Sequence, residues 1–170
     1  MNQPIREHSL AFDLPSLDLT RFSELLTPQA IGEKYLVFFL GEEFFAVPSK
    51  KVAEVASALP VSALPFAPEW LLGIANLRGE VASIVSLSRL LQKKSSVPPP
   101  KSKLIVLRSP IFEFGVALVV DRISEIVSLP DNEIQPVNDD KAAYIRGESN
   151  YKSQTLNLIN TEKLLASLRI

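Results

Sequence analysis

The sequence predicts a mainly β protein made of two related halves. From residue 35 onward, apolar and aromatic residues crowd between short turn segments, a pattern typical of a strand-rich barrel or sandwich. Several pieces of residues 35–94 find counterparts, in the same order, within residues 101–170. Self-similarity of this kind indicates one supersecondary unit used twice, with each copy burying its apolar face against the other.

Composition limits the classes of protein to consider. The 170 residues are 46% hydrophobic and 22% charged, which suits one compact unit or two small lobes. A net charge of −1 gives no overall attraction to nucleic acid or to an anionic membrane. The chain has no cysteine, no apolar run near the roughly 20 residues of a membrane span, and no signal-peptide pattern. We therefore expect a soluble protein of the cytoplasm.

Residues 1–34 match neither half and are predicted to be an extension that is ordered only in part. Their leucine and phenylalanine spacing favours a short amphipathic helix near residues 16–26, confined between Pro15 and Pro28. Such an extension either caps the barrel or binds a partner, and loose packing on its own domain is the simpler interpretation.

The first half is predicted to open with a β-hairpin. Residues 36–40 and 44–47 supply its strands, and residues 41–43 form the turn. The next strand is residues 51–57, after which a connection is marked by Pro60, Pro65 and Pro68.

One turn of helix is expected within residues 69–75, just before an Arg78-Gly79 turn. A buried strand at residues 81–87 and a short Leu-Leu helix then close the first half.

The second half follows a proline-rich loop at residues 95–100, where consecutive prolines favour an extended, solvated backbone. Its predicted strands are residues 103–107, 114–120, 122–126 and 156–158. An Arg146-Gly147 turn is expected to echo Arg78-Gly79. Ser86 and Asn160 occupy equivalent positions and are predicted N-caps, and the helix of residues 161–168 should bury Leu164, Leu165 and Leu168.

The sequence offers little catalytic chemistry. The single histidine, His8, lies in the extension, so a Ser-His or multi-histidine metal site is not expected. The glycines form no phosphate-binding loop. The acidic pairs Glu42-Glu43 and Asp139-Asp140 are interpreted as solvated turn residues. We therefore predict no enzyme and no catalytic, cofactor-binding or metal-binding residue.

Binding to a partner is the class of function that remains. Arg78 is either a turn residue paired with a nearby acid such as Glu80, or a guanidinium held for a partner's carbonyl or carboxylate groups. The lysines around the proline-rich loop are interpreted as a solvated basic rim: Lys93, Lys94, Lys101 and Lys103.

Four segments together resemble the CheW-like adaptor family of bacterial chemotaxis: residues 35–38, residues 51–55, the Gly-x-x-Asn-Leu-Arg-Gly motif of residues 73–79, and Val119-Val120-Asp121. The resemblance runs from about residue 35 to residue 165. It implies a CheW-like domain over residues 35–170, built as two five-stranded SH3-like β-barrels with short helices around a shared core.

The resemblance also implies a function in chemotaxis, phototaxis or twitching motility. Members act as non-enzymatic scaffolds that couple the cytoplasmic tip of a methyl-accepting receptor to the regulatory domain of a CheA-type histidine kinase, within membrane-associated receptor arrays. The positions implied to contact the receptor are Val52, Glu54, Gly73, Asn76, Arg78 and Ile123. Those implied to contact the kinase are Ser49, Val55 and Leu165.

This chain departs from the family at Ser86, which replaces a common aspartate. A polar contact is lost while helix capping is kept.

Two alternatives for the function stay open at this point. A chain of this fold that occupies the kinase without engaging receptors would act as a competitor or regulator. A small-barrel binder of single-stranded nucleic acid would need interleaved basic and aromatic residues, and the composition supports this poorly.

Overall fold

The structure is a computed structural model that describes residues 32–93, 99–110, 112, 114–138 and 143–169. Within these residues it is mainly β, with ten strands in two five-stranded sheets and few helices, as predicted. Two sequence predictions lie outside the described residues: the helix near residues 16–26 and the acidic pair Asp139-Asp140.

The elements follow one another in the same sequence in both halves. In the first half they are β1 (Glu33–Leu40), β2 (Glu43–Pro48), β3 (Val52–Ser57), β4 (Leu71–Leu77), β5 (Glu80–Ser86) and α1 (Leu87–Leu90). In the second half they are β6 (Lys103–Leu107), β7 (Gly115–Val120), β8 (Arg122–Leu129), β9 (Ile145–Tyr151), β10 (Gln154–Ile159) and α2 (Thr161–Ser167). Single 3-10 turns occur at Ser49–Lys51 and Asp131–Glu133.

Neither half forms a sheet by itself. The strand orders are β8-β1-β2-β10-β9 and β3-β6-β7-β5-β4, so each sheet combines the first hairpin of one half with the last three strands of the other. If each strand is replaced by its counterpart in the other half, so that β1 becomes β6 and β8 becomes β3, one strand order becomes the other. The sequence repeat is therefore real, but the proline-rich segment between the halves does not mark a boundary between sheets.

The predicted one-turn helix at residues 69–75 is wrong, because most of this segment belongs to β4. β4 pairs antiparallel with β5, from Leu71 opposite Val85 to Leu77 opposite Glu80. On its other side Ile74 forms an isolated bridge with Ser62. Pairing on both sides fixes an extended backbone that the local sequence does not specify.

The predicted Arg146-Gly147 turn is also wrong. Both residues lie inside β9, and the turn into β10 is made by Lys152 and Ser153. These two residues have φ values of 49° and 63°, and Arg78 and Gly79 have 54° and 90°. Two positive φ values suit the two-residue loop that matches the twist of a hairpin. Lys152 is thus the structural counterpart of Arg78.

Gly147 corresponds instead to Gly73. A preceding connection crosses close to each glycine, through the bridges Ser62–Ile74 and Gln135–Glu148. A β-carbon on Gly73 would lie 2.1 Å from the carbonyl oxygen of Ser62, and one on Gly147 would lie 2.8 Å from that of Gln135. Glycine is therefore needed at both positions for the same reason, because two backbone segments approach each other closely there.

Both predicted N-caps are present. The Ser86 hydroxyl accepts from the backbone N–H of Arg89 at 3.4 Å, and the Asn160 side-chain oxygen accepts from the N–H of Lys163 at 3.0 Å. Each cap also fixes the start of its hairpin, because the N–H of Ser86 donates to Trp70 and that of Asn160 donates to Tyr144. The two helices are thus equivalent in the repeat.

The two barrels share one core. Its largest cluster takes residues from both sheets, among them Phe38, Phe45 and Leu118, and it includes the predicted leucines of the C-terminal segment, Leu164, Leu165 and Leu168. A smaller cluster lies against each sheet separately. Every cluster contains residues of both halves, so the core forms only when the halves come together.

The close approach at Gly73 predicts a specific loss of stability. In the Gly73→Ala variant the new methyl group meets the Ser62 carbonyl, and we expect the free energy of unfolding to fall further than in Gly79→Ala by more than about 1 kcal/mol. Gly79 is the matched control, since its φ is also positive but nothing lies within 4 Å of an added β-carbon. Urea unfolding of both variants measures the difference, and equal losses would contradict the role of the contact.

Candidate functional site

The motif Asn-Leu-Arg-Gly forms the tip of the β4–β5 hairpin. The Asn76 side-chain oxygen accepts from the N–H of Gly79 at 2.8 Å, which stabilises the tight turn. Arg78, held in that turn, places its Nε 2.9 Å from a carboxylate oxygen of Glu54. The prediction that Arg78 pairs with an acid such as Glu80 is therefore wrong in its choice of acid.

The Glu54–Arg78 pair joins the two edges of one sheet. Glu54 lies on β3 and Arg78 follows β4, and these are the outermost strands in the order β3-β6-β7-β5-β4. Contact between the edges shows that the sheet is curled into a barrel. The Arg78 side chain remains 78% exposed and that of Glu54 26% exposed, so the pair stands at the surface.

A cavity of about 310 Å³ opens beside this ion pair. Its lining combines the two charged side chains with apolar residues from several strands, including Leu77, Val81 and Val106. Val81 is 42% exposed, and the neighbouring Val55 on β3 is 41% exposed. This end of the barrel thus offers one acid, one base and accessible apolar surface within a small area.

The other barrel carries a second copy of this arrangement that sequence reasoning missed. Lys152 Nζ lies 2.8 Å from a carboxylate oxygen of Glu125, and these residues again belong to the opposite edges of their sheet. Ile126, which is 59% exposed, takes the place of Val55. The signal was available, because residues 51–55 and 122–126 match in the sequence, but pairing Arg78 with Arg146 obscured it.

Tyr151 distinguishes the second arrangement from the first. Its hydroxyl donates to Glu125 and contacts the hydroxyl of Ser124 at 3.1 Å, and the Lys152 ammonium lies 4.9 Å from the centre of its ring. The Lys152 ammonium, and then the Tyr151 hydroxyl, lower the pKa of Glu125. The same carboxylate raises the pKa of Lys152 to about 12. The pair is charged across the physiological pH range.

The remaining residues implied to contact a receptor differ in burial and lie on different barrels. Val52 and Ile123 occupy equivalent places on β3 and β8 and pack, half-buried, against the shared core. Gly73 is buried under Ser62. The structure therefore brings Glu54, Asn76 and Arg78 together, with Val52 on the same strand as Glu54, and places Ile123 on the other barrel.

The residues implied to contact a kinase also differ in accessibility. Val55 is exposed, and Ser49 is half-buried in the 3-10 turn before β3. Leu165 is only 4% exposed, because α2 turns it into the shared core. Its side chain is not available to a partner in this structure.

Residues 34–169 match the family described as a CheW-like domain. The chain belongs to the CheW-like domain family. It is 29% identical over 140 residues to "Chemotaxis protein CheW" of Rhizobium meliloti, covering 80% of this chain and 89% of that protein. It is 31% identical over 140 residues to "Probable chemotaxis protein CheW" of Rhizobium etli, covering 79% and 89% of the two chains.

A solved structure shows the same fold. The crystal structure of scaffolding protein TtCheW from Thermoanaerobacter tengcongensis superimposes with a TM-score of 0.69 at 24% sequence identity, covering 78% of this chain and 87% of that one. Two five-stranded, SH3-like subdomains are therefore the architecture of this CheW-like chain, as the resemblance implied.

Two kinds of feature are absent from the described part of the chain. Among those residues, no group of three or more histidine, cysteine, aspartate or glutamate side chains is placed to hold a metal ion. No helix in the same ranges is long and apolar enough to cross a membrane.

A further charged cluster surrounds Glu33 at the start of β1. Its carboxylate pairs with Lys50, accepts from the Tyr35 hydroxyl at 3.0 Å and lies 3.6 Å from Arg146. The Lys50 ammonium is the main cause that lowers the pKa of Glu33, with smaller contributions from Tyr35 and Arg146, while burial opposes them. The cluster ties β9 and the 3-10 turn to β1.

This cluster predicts a pH dependence of stability. Because the pKa of Glu33 is lowered in the folded chain, its charge stabilises the fold above the ordinary value of 4.5, and this contribution disappears as the pH falls through the folded pKa. The Glu33→Gln variant should therefore have a lower free energy of unfolding than the native chain at pH 7. This difference should decrease towards pH 3. Urea unfolding across this range tests it, with the exposed Glu80→Gln as control. A gap that stays constant with pH would contradict the assignment.

Proposed function

We propose that this CheW-like chain is a signalling adaptor that couples the cytoplasmic tip of a methyl-accepting receptor to a CheA-type histidine kinase. The observation that carries the proposal is the Glu54–Arg78 pair beside a cavity at one barrel end, in a chain of this family. An adaptor needs accessible apolar surface and oriented charges, and it needs no reacting group of its own.

Arg78 is suited to exchange partners on binding. An exposed ion pair is worth only about 0–1 kcal/mol, so replacing Glu54 by an acceptor on a receptor costs little. The Asn76 contact holds the turn, so the guanidinium is presented in a fixed place. A receptor tip that is an α-helical hairpin would lay one apolar face on the barrel, with Arg78 and Glu54 setting its register.

The kinase would dock on the adjacent face of the same barrel. Val55 offers exposed apolar surface on the edge strand β3, and Ser49 precedes that strand. The receptor and the kinase would then both contact strand β3. The adaptor is recruited to receptor arrays at the membrane. A signal passes only if the contacts to receptor or kinase differ between the kinase-on and kinase-off states, because only differential affinity shifts an equilibrium.

The Arg78→Ala variant should lose receptor coupling while remaining folded. We expect its affinity for a soluble receptor signalling fragment to fall by about tenfold or more, since the truncation leaves a desolvated acceptor unpaired. Lys152→Ala is the matched control, because it removes the equivalent ion pair of the other barrel. Thermal unfolding checks the fold, and sedimentation velocity with the soluble receptor fragment measures binding. Equal losses in the two variants would argue against a receptor site at Arg78.

Kinase binding should be saturable and one-to-one. Calorimetry with the regulatory domain of a CheA-type kinase from the same genome measures it, and Val55→Glu should weaken it by about tenfold or more through a charge placed in an apolar contact. Leu64→Glu is the matched control, since Leu64 is 40% exposed and Val55 is 41% exposed.

The two assays together separate the remaining functions. Kinase binding without receptor binding would indicate a competitor that occupies the kinase. Failure to bind any such kinase encoded in the genome would overturn the adaptor proposal.

A further inference from the structure

The first barrel, formed by the sheet β3-β6-β7-β5-β4, and the second, formed by β8-β1-β2-β10-β9, are filled differently inside. Leu77 and Tyr151 correspond in the repeat, because each directly precedes the two-residue turn of its hairpin. Ala82 and Leu156 also correspond, because each is the third residue after that turn. In both pairs the residue of the first barrel has the smaller side chain.

The largest difference is at a third pair of positions. Leu156 lies opposite Phe44 in the parallel ladder of β10 with β2, and Ala82 lies opposite Gly115 in the equivalent ladder of β5 with β7. Gly115 therefore stands where the second barrel has the Phe44 ring. Phe44 is only 6% exposed, and the centre of its ring lies 4.9 Å from that of Tyr151. An aromatic pair thus fills this end of the second barrel.

The corresponding space in the first barrel is the cavity of about 310 Å³ beside the Glu54–Arg78 pair. Leu77, Ala82 and Gly115 all line it, and among its described lining residues none is aromatic. An apolar cavity of about 150 Å³ is enough to bind benzene. The first barrel therefore has room for a ring at the place where the second barrel holds its own.

We propose that this cavity binds one aromatic side chain of a partner protein. The second barrel shows how such a ring is held, because the Tyr151 hydroxyl donates to Glu125 and the Lys152 ammonium lies 4.9 Å from the ring centre. Glu54 and Arg78 form the equivalent pair, 2.9 Å apart, at the mouth of the cavity. A partner's phenol would donate to Glu54 while the Arg78 guanidinium lies over the face of its ring.

The side chain belongs to the receptor tip, an assignment that rests on the function proposed above. The mouth of the cavity carries two acids and one base, Glu54, Glu80 and Arg78. Its charge is complementary to a helix that presents an aromatic residue flanked by a lysine or arginine, which would meet Glu80. An aromatic anchor seated in a pocket is a common form of interface hot spot.

Gly115 allows the cavity to be filled by substitution. A β-carbon on Gly115 would lie 3.6 Å from the β-carbon of Ala82 and 3.8 Å from a methyl carbon of Val106, which are ordinary contact distances. Gly115→Phe should therefore place a ring in the cavity, as Phe44 does in the second barrel. Gly115→Ala is the matched control, because it leaves most of the cavity open.

Urea unfolding tests whether the space accepts a ring. We expect Gly115→Phe to unfold at a urea concentration no lower than Gly115→Ala, because its ring buries apolar surface without displacing other side chains. A clearly lower midpoint would mean that a ring does not fit, and it would overturn the proposal.

A titration with p-cresol, which has the structure of the tyrosine side chain, tests binding directly. The full chain is titrated while NMR follows the methyl groups of Leu77, Ala82 and Val106. We expect saturable shifts of these signals in the native chain and in Gly115→Ala, and none in Gly115→Phe. The proposal is overturned if the native chain shows no saturable shift, or if Gly115→Phe binds as well as the native chain.

Binding of the soluble receptor fragment then tests the identity of the partner. Sedimentation velocity should show that Gly115→Phe binds the fragment more weakly than Gly115→Ala by about tenfold or more. Equal affinities of the native chain and both variants would overturn the assignment to the receptor. If the native chain does not bind the fragment at all, the proposed function fails together with this assignment, whereas the p-cresol titration still decides whether the cavity binds an aromatic ring.

Discussion

The strand pairing between the two halves is the constraint on which the rest of the structure depends. It closes both sheets and places residues of both halves in every core cluster. It also makes β3 and β4 the edges of one sheet, although they follow one another in the chain. Glu54 and Arg78 meet only because that sheet curls until its edges touch. The candidate site is therefore a product of the topology and not of the motif alone.

Much of the architecture could be predicted from local patterns. The β1–β2 hairpin, the caps Ser86 and Asn160, and the leucines of α2 follow from apolar runs, turn residues and capping chemistry. Each of these patterns spans only a few residues. The local structure that it predicts is present because the tertiary structure is compatible with it. The CheW-like architecture followed from the motifs, and the match over residues 34–169 confirms the family.

Two of the three errors have a common physical origin. Residues 69–75 have no strong strand pattern, and their extended form depends on β5 and on the Ser62 bridge. Glu80 is near Arg78 in sequence, whereas Glu54 is near it only in the closed barrel. The second Arg-Gly pair is a coincidence, since the true counterpart of Arg78 is the chemically related Lys152. The first two errors concern contacts between distant segments, which a single sequence does not specify. The third is an error in aligning the repeat, because Gly147 and Asn150 have the same spacing as Gly73 and Asn76.

The bridges at Ser62 and Gln135 have a consequence for solubility. An exposed edge strand presents unpaired N–H and C=O groups that template aggregation. Here the connection before β4 bonds to Ile74, and the one before β9 bonds to Glu148, so each covers part of an otherwise open edge. The glycines at 73 and 147 allow that cover to lie close. The bridges therefore leave fewer unpaired backbone groups on β4 and β9 that could bond to the edge of another sheet.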